Sequence, residues 1–151
     1  MLFKLVQSIF IVLVLACCGC QERQVNNASA SSDLNGLQDG PAVIVYYFHG
    51  TRRCFSCLTI EANTAKVSEE NFQQQITDGS LMWTPMNMED PGSKELTEKF
   101  GIKTNTLVVA KMADGNYIGY KKLKKVWQLI DDPEGFSEYV TDEINAFLKD
   151  K

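Results

Sequence analysis

The feature that most constrains this chain is an apolar run, Val43 to Phe48, with the tetrad Cys54-Phe55-Ser56-Cys57 a short loop beyond it. The run is apolar on both faces, as a central strand requires. The tetrad opens a segment in which Leu58, Ala62 and Ala65 recur at helical spacing. A buried strand, a turn and a C-x-x-C pair at a helix start form the local layout of a dithiol redox site. Two intervening residues let both sulfurs meet at the helix N-terminus, where one attacks the mixed disulfide formed by the other. The helix dipole and its free N–H groups favour thiolate on Cys54, and Arg53 adds a neighbouring positive charge. Two other readings remain open from the residues alone: a dithiol that binds a metal, and an inert structural bridge.

The other cysteines do different work. Leu5 to Ala16 is apolar apart from Gln7 and Ser8, follows a basic start at Lys4, and ends at small residues and Cys17. It is short for a bilayer span and fits a signal peptide over residues 1–16. Val14-Leu15-Ala16-Cys17 resembles the lipobox of bacterial lipoproteins. That resemblance implies a diacylglycerol thioether (with palmitate-type acyl chains) on Cys17, and Cys20 or Cys18 as weaker alternatives. The protein is then expected outside the cytoplasm, on the periplasmic or cell-surface face of a bacterial membrane, where disulfides persist. With Cys17, Cys18 and Cys20 in the processing region, only Cys54 and Cys57 are left for the fold, too few for a four-cysteine zinc or iron–sulfur site. A haem attachment would need histidine after Cys57, where Leu58 stands. No cofactor is expected.

A net charge of −4, one unit more negative once Lys4 is removed, gives no support for nucleic-acid binding. Residues 21–40 hold only Val25, Leu34 and Leu37 as sizeable apolar groups. Such a stretch cannot offset its ordering entropy, so residues 17–40 read as a lipidated N-terminus and flexible tether. Residues 41–151 suit one small domain, expected as a monomer.

Within that domain the helix after the dithiol is expected to bend near Val67-Ser68 and to stop at Asp78-Gly79. Leu81 to Met88 reads as a strand, and Pro85 places it at a sheet edge because proline cannot donate to a central ladder. Asp90-Pro91 starts a helix that Gly101 ends. Thr106 to Lys111 and Asn116 to Tyr120 are strands joined by an Asp114-Gly115 turn. A short helix over Leu123 to Ile130 and a last helix after Asp132-Pro133, striped by Phe136, Val140, Ile144 and Phe147, complete the order.

This order, with the placement of Cys54 and Cys57, resembles a thioredoxin-like fold lacking its optional N-terminal strand and helix. The expected class is α/β, a four-stranded mixed sheet flanked by helices. More narrowly, Tyr46-Tyr47-Phe48-His49, the cysteine pair, Thr59-Ile60-Glu61 and Trp127 resemble a bacterial thioredoxin-like family called nitrophenyl compound nitroreductase subunits, associated with arsenic-resistance genes. Nothing in these residues shows flavin or nitro-group chemistry.

The fold resemblance implies a thiol–disulfide oxidoreductase acting on a protein thiol or disulfide partner, with Cys54 attacking and Cys57 resolving; the lipobox reading makes it membrane-tethered and extracytoplasmic. Two departures stand out. Ungapped counting from Phe100-Gly101-Ile102 puts Thr106, preceded by Asn105, where thioredoxins carry a cis-proline. A cis bond there would cost roughly 2.5–4 kcal/mol, so trans is expected. Phe48 stands near the place of thioredoxin's buried carboxylate, the proton acceptor for the resolving cysteine. His49 is the candidate substitute, since imidazole suits general acid–base work; its plainer role is a hydrogen bond to loop backbone. Glu61 is a second candidate relay, or an ion-pair partner.

The alternative functions are a Cys54–Cys57 carrier of Cu(I) or As(III), and a redox-inert interaction lipoprotein. Lys121, Lys122, Lys124 and Lys125 could meet anionic lipid, or simply blunt an edge.

Overall fold

The computed structural model describes residues 42–149. The expected signal peptide, the lipidation candidates Cys17, Cys18 and Cys20, and the tether lie outside the described residues.

Four strands, β1 (Val43–His49), β2 (Leu81–Asn87), β3 (Thr106–Ala113) and β4 (Asn116–Lys122), form one sheet in the order β2-β1-β3-β4. β1 pairs parallel with β2 and antiparallel with β3, and β3 pairs antiparallel with β4. The helices are α1 (Phe55–Asn71), α2 (Gln73–Thr77), α3 (Lys94–Lys99) and α4 (Pro133–Lys149), with 3-10 turns at Pro91–Ser93 and Lys124–Gln128. This is the expected thioredoxin-like arrangement, with Pro85 on an outer strand facing Tyr47 of β1.

Every residue of β1 is buried, which explains its uninterrupted apolarity. Its alternation divides the core in two. Val43, Val45 and Tyr47 pack with Ile60 and Val67 of α1 and with Phe136, Val140 and Ile144 of α4. Ile44, Tyr46 and Phe48 pack on the other face with Phe100, Ile102, Val108 and Ala110. Parity along one strand thus decides which side chains lie beneath the dithiol helix.

α1 runs unbroken through Val67-Ser68. The Thr64 and Ser68 hydroxyls donate to the carbonyls of Ile60 and Thr64, four residues back, at 2.7 and 2.8 Å, so both buried side chains satisfy themselves inside the helix. The break falls instead at Phe72, whose φ of −131° leaves the helix while its ring enters the core.

At the β3–β4 hairpin, Asp114 and Gly115 both take positive φ (51° and 71°), the requirement of a two-residue turn that follows strand twist. The final helix begins where Asp132 Oδ1 accepts the Gly135 N–H at 3.0 Å, a cap that aspartate supplies well.

Candidate functional site

Cys54 and Cys57 are joined as a disulfide across the first turn of α1, with Cα atoms 5.0 Å apart. Cys54 is the N-cap of that helix, and its Sγ accepts the N–H of Cys57 at 3.2 Å. One free donor of the helix terminus therefore already points at the sulfur that would carry negative charge on reduction. Cys54 is exposed and Cys57 is buried. The exposed cysteine is open to a protein partner; the buried one is closed to it.

Phe48 does not lie beneath the pair. It is on the opposite face of the sheet, against Phe100 at 6.1 Å between ring centroids. The side chains of β1 on the α1 face are Tyr47 and, one step further, His49. The hydroxyl of Tyr47 is buried without a hydrogen-bond partner, and burial, with a lesser contribution from the Glu61 carboxylate, raises its pKa to about 12. It stays protonated through the ordinary pH range and cannot serve as a base there.

His49, Arg53 and Glu61 form a chain. His49 Nδ1 lies 3.0 Å from the Gly50 carbonyl oxygen and 3.3 Å from Arg53 Nε. Arg53 Nη2 meets Nε2, so the guanidinium faces both ring nitrogens of the imidazole. The other end of Arg53 reaches Glu61 Oε2 at 2.5 Å. That contact is an ion pair by distance without the alignment of a hydrogen bond. Arg53 is thus held by two protein groups, and the Glu61 carboxylate offsets its charge. The structure brings His49, Arg53 and Glu61 together, and sends Arg53's polar contacts to the other two.

Thr106 begins β3, and its hydroxyl donates to the Thr104 carbonyl at 2.7 Å. Among the described residues no peptide bond is cis. The side chain that reaches the dithiol is that of Asn105: Nδ2 lies 3.0 Å from Cys57 Sγ, and Oδ1 accepts the Gly50 N–H at 3.1 Å. The antiparallel register explains this. Phe48 pairs with Thr106, so the preceding residue stands opposite the carboxyl end of β1, where the chain turns toward the cysteines.

Two apolar side chains beside the disulfide are uncovered: Phe55 is 82% and Leu58 49% exposed. On the other side of Asn105 runs a groove of about 340 Å³ lined in part by Lys103, Thr104, Thr106, Lys122 and the exposed Trp127.

The lysines expected to form a basic cluster are mostly engaged within the protein. Lys121 pairs with Glu143 at 2.7 Å, Lys122 donates to the Gly101 carbonyl at 2.9 Å, and Lys125 lies over the Tyr139 ring.

No protein-family model and no curated protein matches the chain, so the narrower nitroreductase-subunit resemblance gains no support. Similar solved structures include a thioredoxin from Halobacterium salinarum NRC-1 carrying an N21Q mutation, 20% identical, TM-score 0.37, with 64% of this chain and 76% of that one covered. Thioredoxin f2 of Chlamydomonas reinhardtii is 21% identical, TM-score 0.37, covering 64% and 83%. A structure described as a malarial protein is 18% identical, TM-score 0.37, covering 53% and 79%.

Proposed function

We propose that this protein is a thiol–disulfide oxidoreductase of the extracytoplasmic space, tethered to a bacterial membrane through lipid on Cys17. The observation that carries the redox reading is the asymmetry of the pair: an exposed, helix-capping Cys54 joined to a buried Cys57. In the reducing direction the Cys54 thiolate attacks one sulfur of a partner disulfide. A Cys54–partner bond forms, and the other partner sulfur leaves as thiolate. Cys57 thiolate then attacks Cys54 Sγ, the intramolecular disulfide forms, and the second partner sulfur departs with its electron pair. The partner gains two electrons and the dithiol loses two. The exposed Phe55 and Leu58 supply apolar contact for a protein partner beside the attacking sulfur.

Equilibration of the protein with defined glutathione buffers, read by peptide mass spectrometry of the Cys54–Cys57 segment, tests the exchange reading. A potential above about −300 mV is expected, since inert structural bridges lie below that value. A lower potential, together with failure to exchange with a disulfide-bonded protein, would leave the bridge structural. The localisation has its own test. Cys17→Ser is expected to abolish lipid labelling and release the protein from the membrane fraction; persistent labelling would move the anchor to Cys18 or Cys20.

A further inference from the structure

Cys57 is the sulfur that must become a nucleophile inside the protein, and its surroundings oppose that. It is 4% exposed, and burial away from water disfavours the thiolate. The groups nearest in the fold offer no evident base. Tyr47 holds its proton, and His49, Arg53 and Glu61 bind one another. Glu89 is hydrogen-bonded to Thr51 on the loop after β1, and Cys54 is covalently engaged when Cys57 must act. What does touch the sulfur is the carboxamide of Asn105, at 3.0 Å. The orientation of that amide is fixed from its other end. The Gly50 N–H can only donate, so the atom it meets is the oxygen, and the NH2 group is turned onto Cys57 Sγ.

We propose that Asn105 is a catalytic residue of the dithiol site, donating a hydrogen bond that holds Cys57 as thiolate during resolution of the mixed disulfide. This inference rests on the exchange function proposed above. A donor aimed at a sulfur stabilises its charged form over its neutral one. Asn105 moves no proton. The Cys57 proton goes to water before attack, the thiolate displaces the partner sulfur from Cys54, and the partner thiolate takes its proton from water. The amide lowers the energy of the anion that stands between these steps. Its second bond, to Gly50, keeps it in place and ties the loop after β1 to the segment before β3.

The test uses the full chain. In a Cys54→Ser background, the alkylation rate of Cys57 is followed against pH, with peptide mass spectrometry separating Cys57 from Cys17, Cys18 and Cys20. Asn105→Ala removes the donor without adding charge and is expected to raise the Cys57 midpoint by about one pH unit. Asn105→Asp keeps the acceptor for Gly50 but faces the sulfur with a carboxylate, and is expected to raise it further. With Cys54 restored, both variants should prolong the Cys54–glutathione adduct after mixing with oxidised glutathione, by about tenfold for Asn105→Ala. A purely structural tie would lower the melting temperature of Asn105→Ala and leave the midpoint where it was; that result overturns the proposal. If Asn105→Ala does not fold, an unmoved midpoint in Asn105→Asp overturns it and a raised one supports it. If wild type forms no glutathione adduct at all, the exchange function fails, while the titration still decides whether the amide stabilises the thiolate.

Discussion

Phe100→Ala is expected to destabilise the domain by about 3–5 kcal/mol, the range for removing a buried phenylalanine ring. The ring is fully buried at the end of α3 and is the hub of the smaller core. Phe48 and Tyr117 meet it edge-on at 6.1 and 5.1 Å, and Tyr46 and Tyr120 lie tilted at 6.1 and 4.8 Å. Aromatic neighbours on four sides cannot close over the vacancy without leaving their own contacts. The Tyr46 and Tyr117 hydroxyls, 2.6 Å apart, further restrain two of them. Burial, together with that hydrogen bond, pushes the Tyr46 hydroxyl pKa upward, so alkaline pH does not release the restraint until far above neutrality. Since small domains are stable by only about 5–15 kcal/mol, the loss would be a large share of the total. Urea unfolding of the full chain measures it through the midpoint at constant slope. A loss under about 1 kcal/mol would show that the segment around Gly101 settles onto the sheet and fills the space.

Much of this fold was legible because several residues can serve only one purpose. A run apolar on both faces has to be central, and β1 is buried throughout. Pro85 has no N–H to give, and β2 is the outer strand. Asp114-Gly115 is a turn that positive φ demands, and both residues adopt it. The helix break was expected near Val67-Ser68 and lies at Phe72. The Thr64 and Ser68 hydroxyls bond inside α1, and the break follows the ring of Phe72 into the core.

The site was half legible. Spacing identified the cysteines, and Glu61, read as a relay or an ion-pair partner, pairs with Arg53. Which of two alternating side chains faces α1 depends on how the helix docks, and neighbouring residues of β1 look alike. Phe48 therefore stood in for Tyr47 at the sequence level. Asn105 escaped for a related reason. Its contact with Cys57 is created by the pairing of Phe48 with Thr106, a register that ungapped counting cannot supply to within one residue. The signal available was a polar residue with both donor and acceptor directly before an apolar strand.

Cys57→Ser is expected to convert the protein into a trap, with Cys54 retained in mixed disulfides whose release slows on the order of 100-fold or more. Resolution by Cys57 is intramolecular, and a well-placed internal nucleophile acts at an effective concentration far above any free thiol in the medium. Serine is the right replacement. The helix donor to Cys54 is the backbone N–H of residue 57, so that bond survives, and a hydroxyl of similar size can accept the Asn105 amide in place of the sulfur. The fold and the thiolate character of Cys54 should therefore persist while the second step is lost. Cys54→Ser, by contrast, should form no adduct with a protein partner at Cys57, because a sulfur on a residue only 4% exposed admits a small alkylating reagent but not a protein disulfide. Non-reducing electrophoresis after incubation with a disulfide-bonded protein, followed by peptide mapping of the adduct, separates the two variants. Adducts on Cys57 in Cys54→Ser would reverse the assigned roles. A Cys57→Ser protein that sheds its partner as fast as wild type would mean that external thiols do the resolving, and that the buried sulfur serves only to close the bridge.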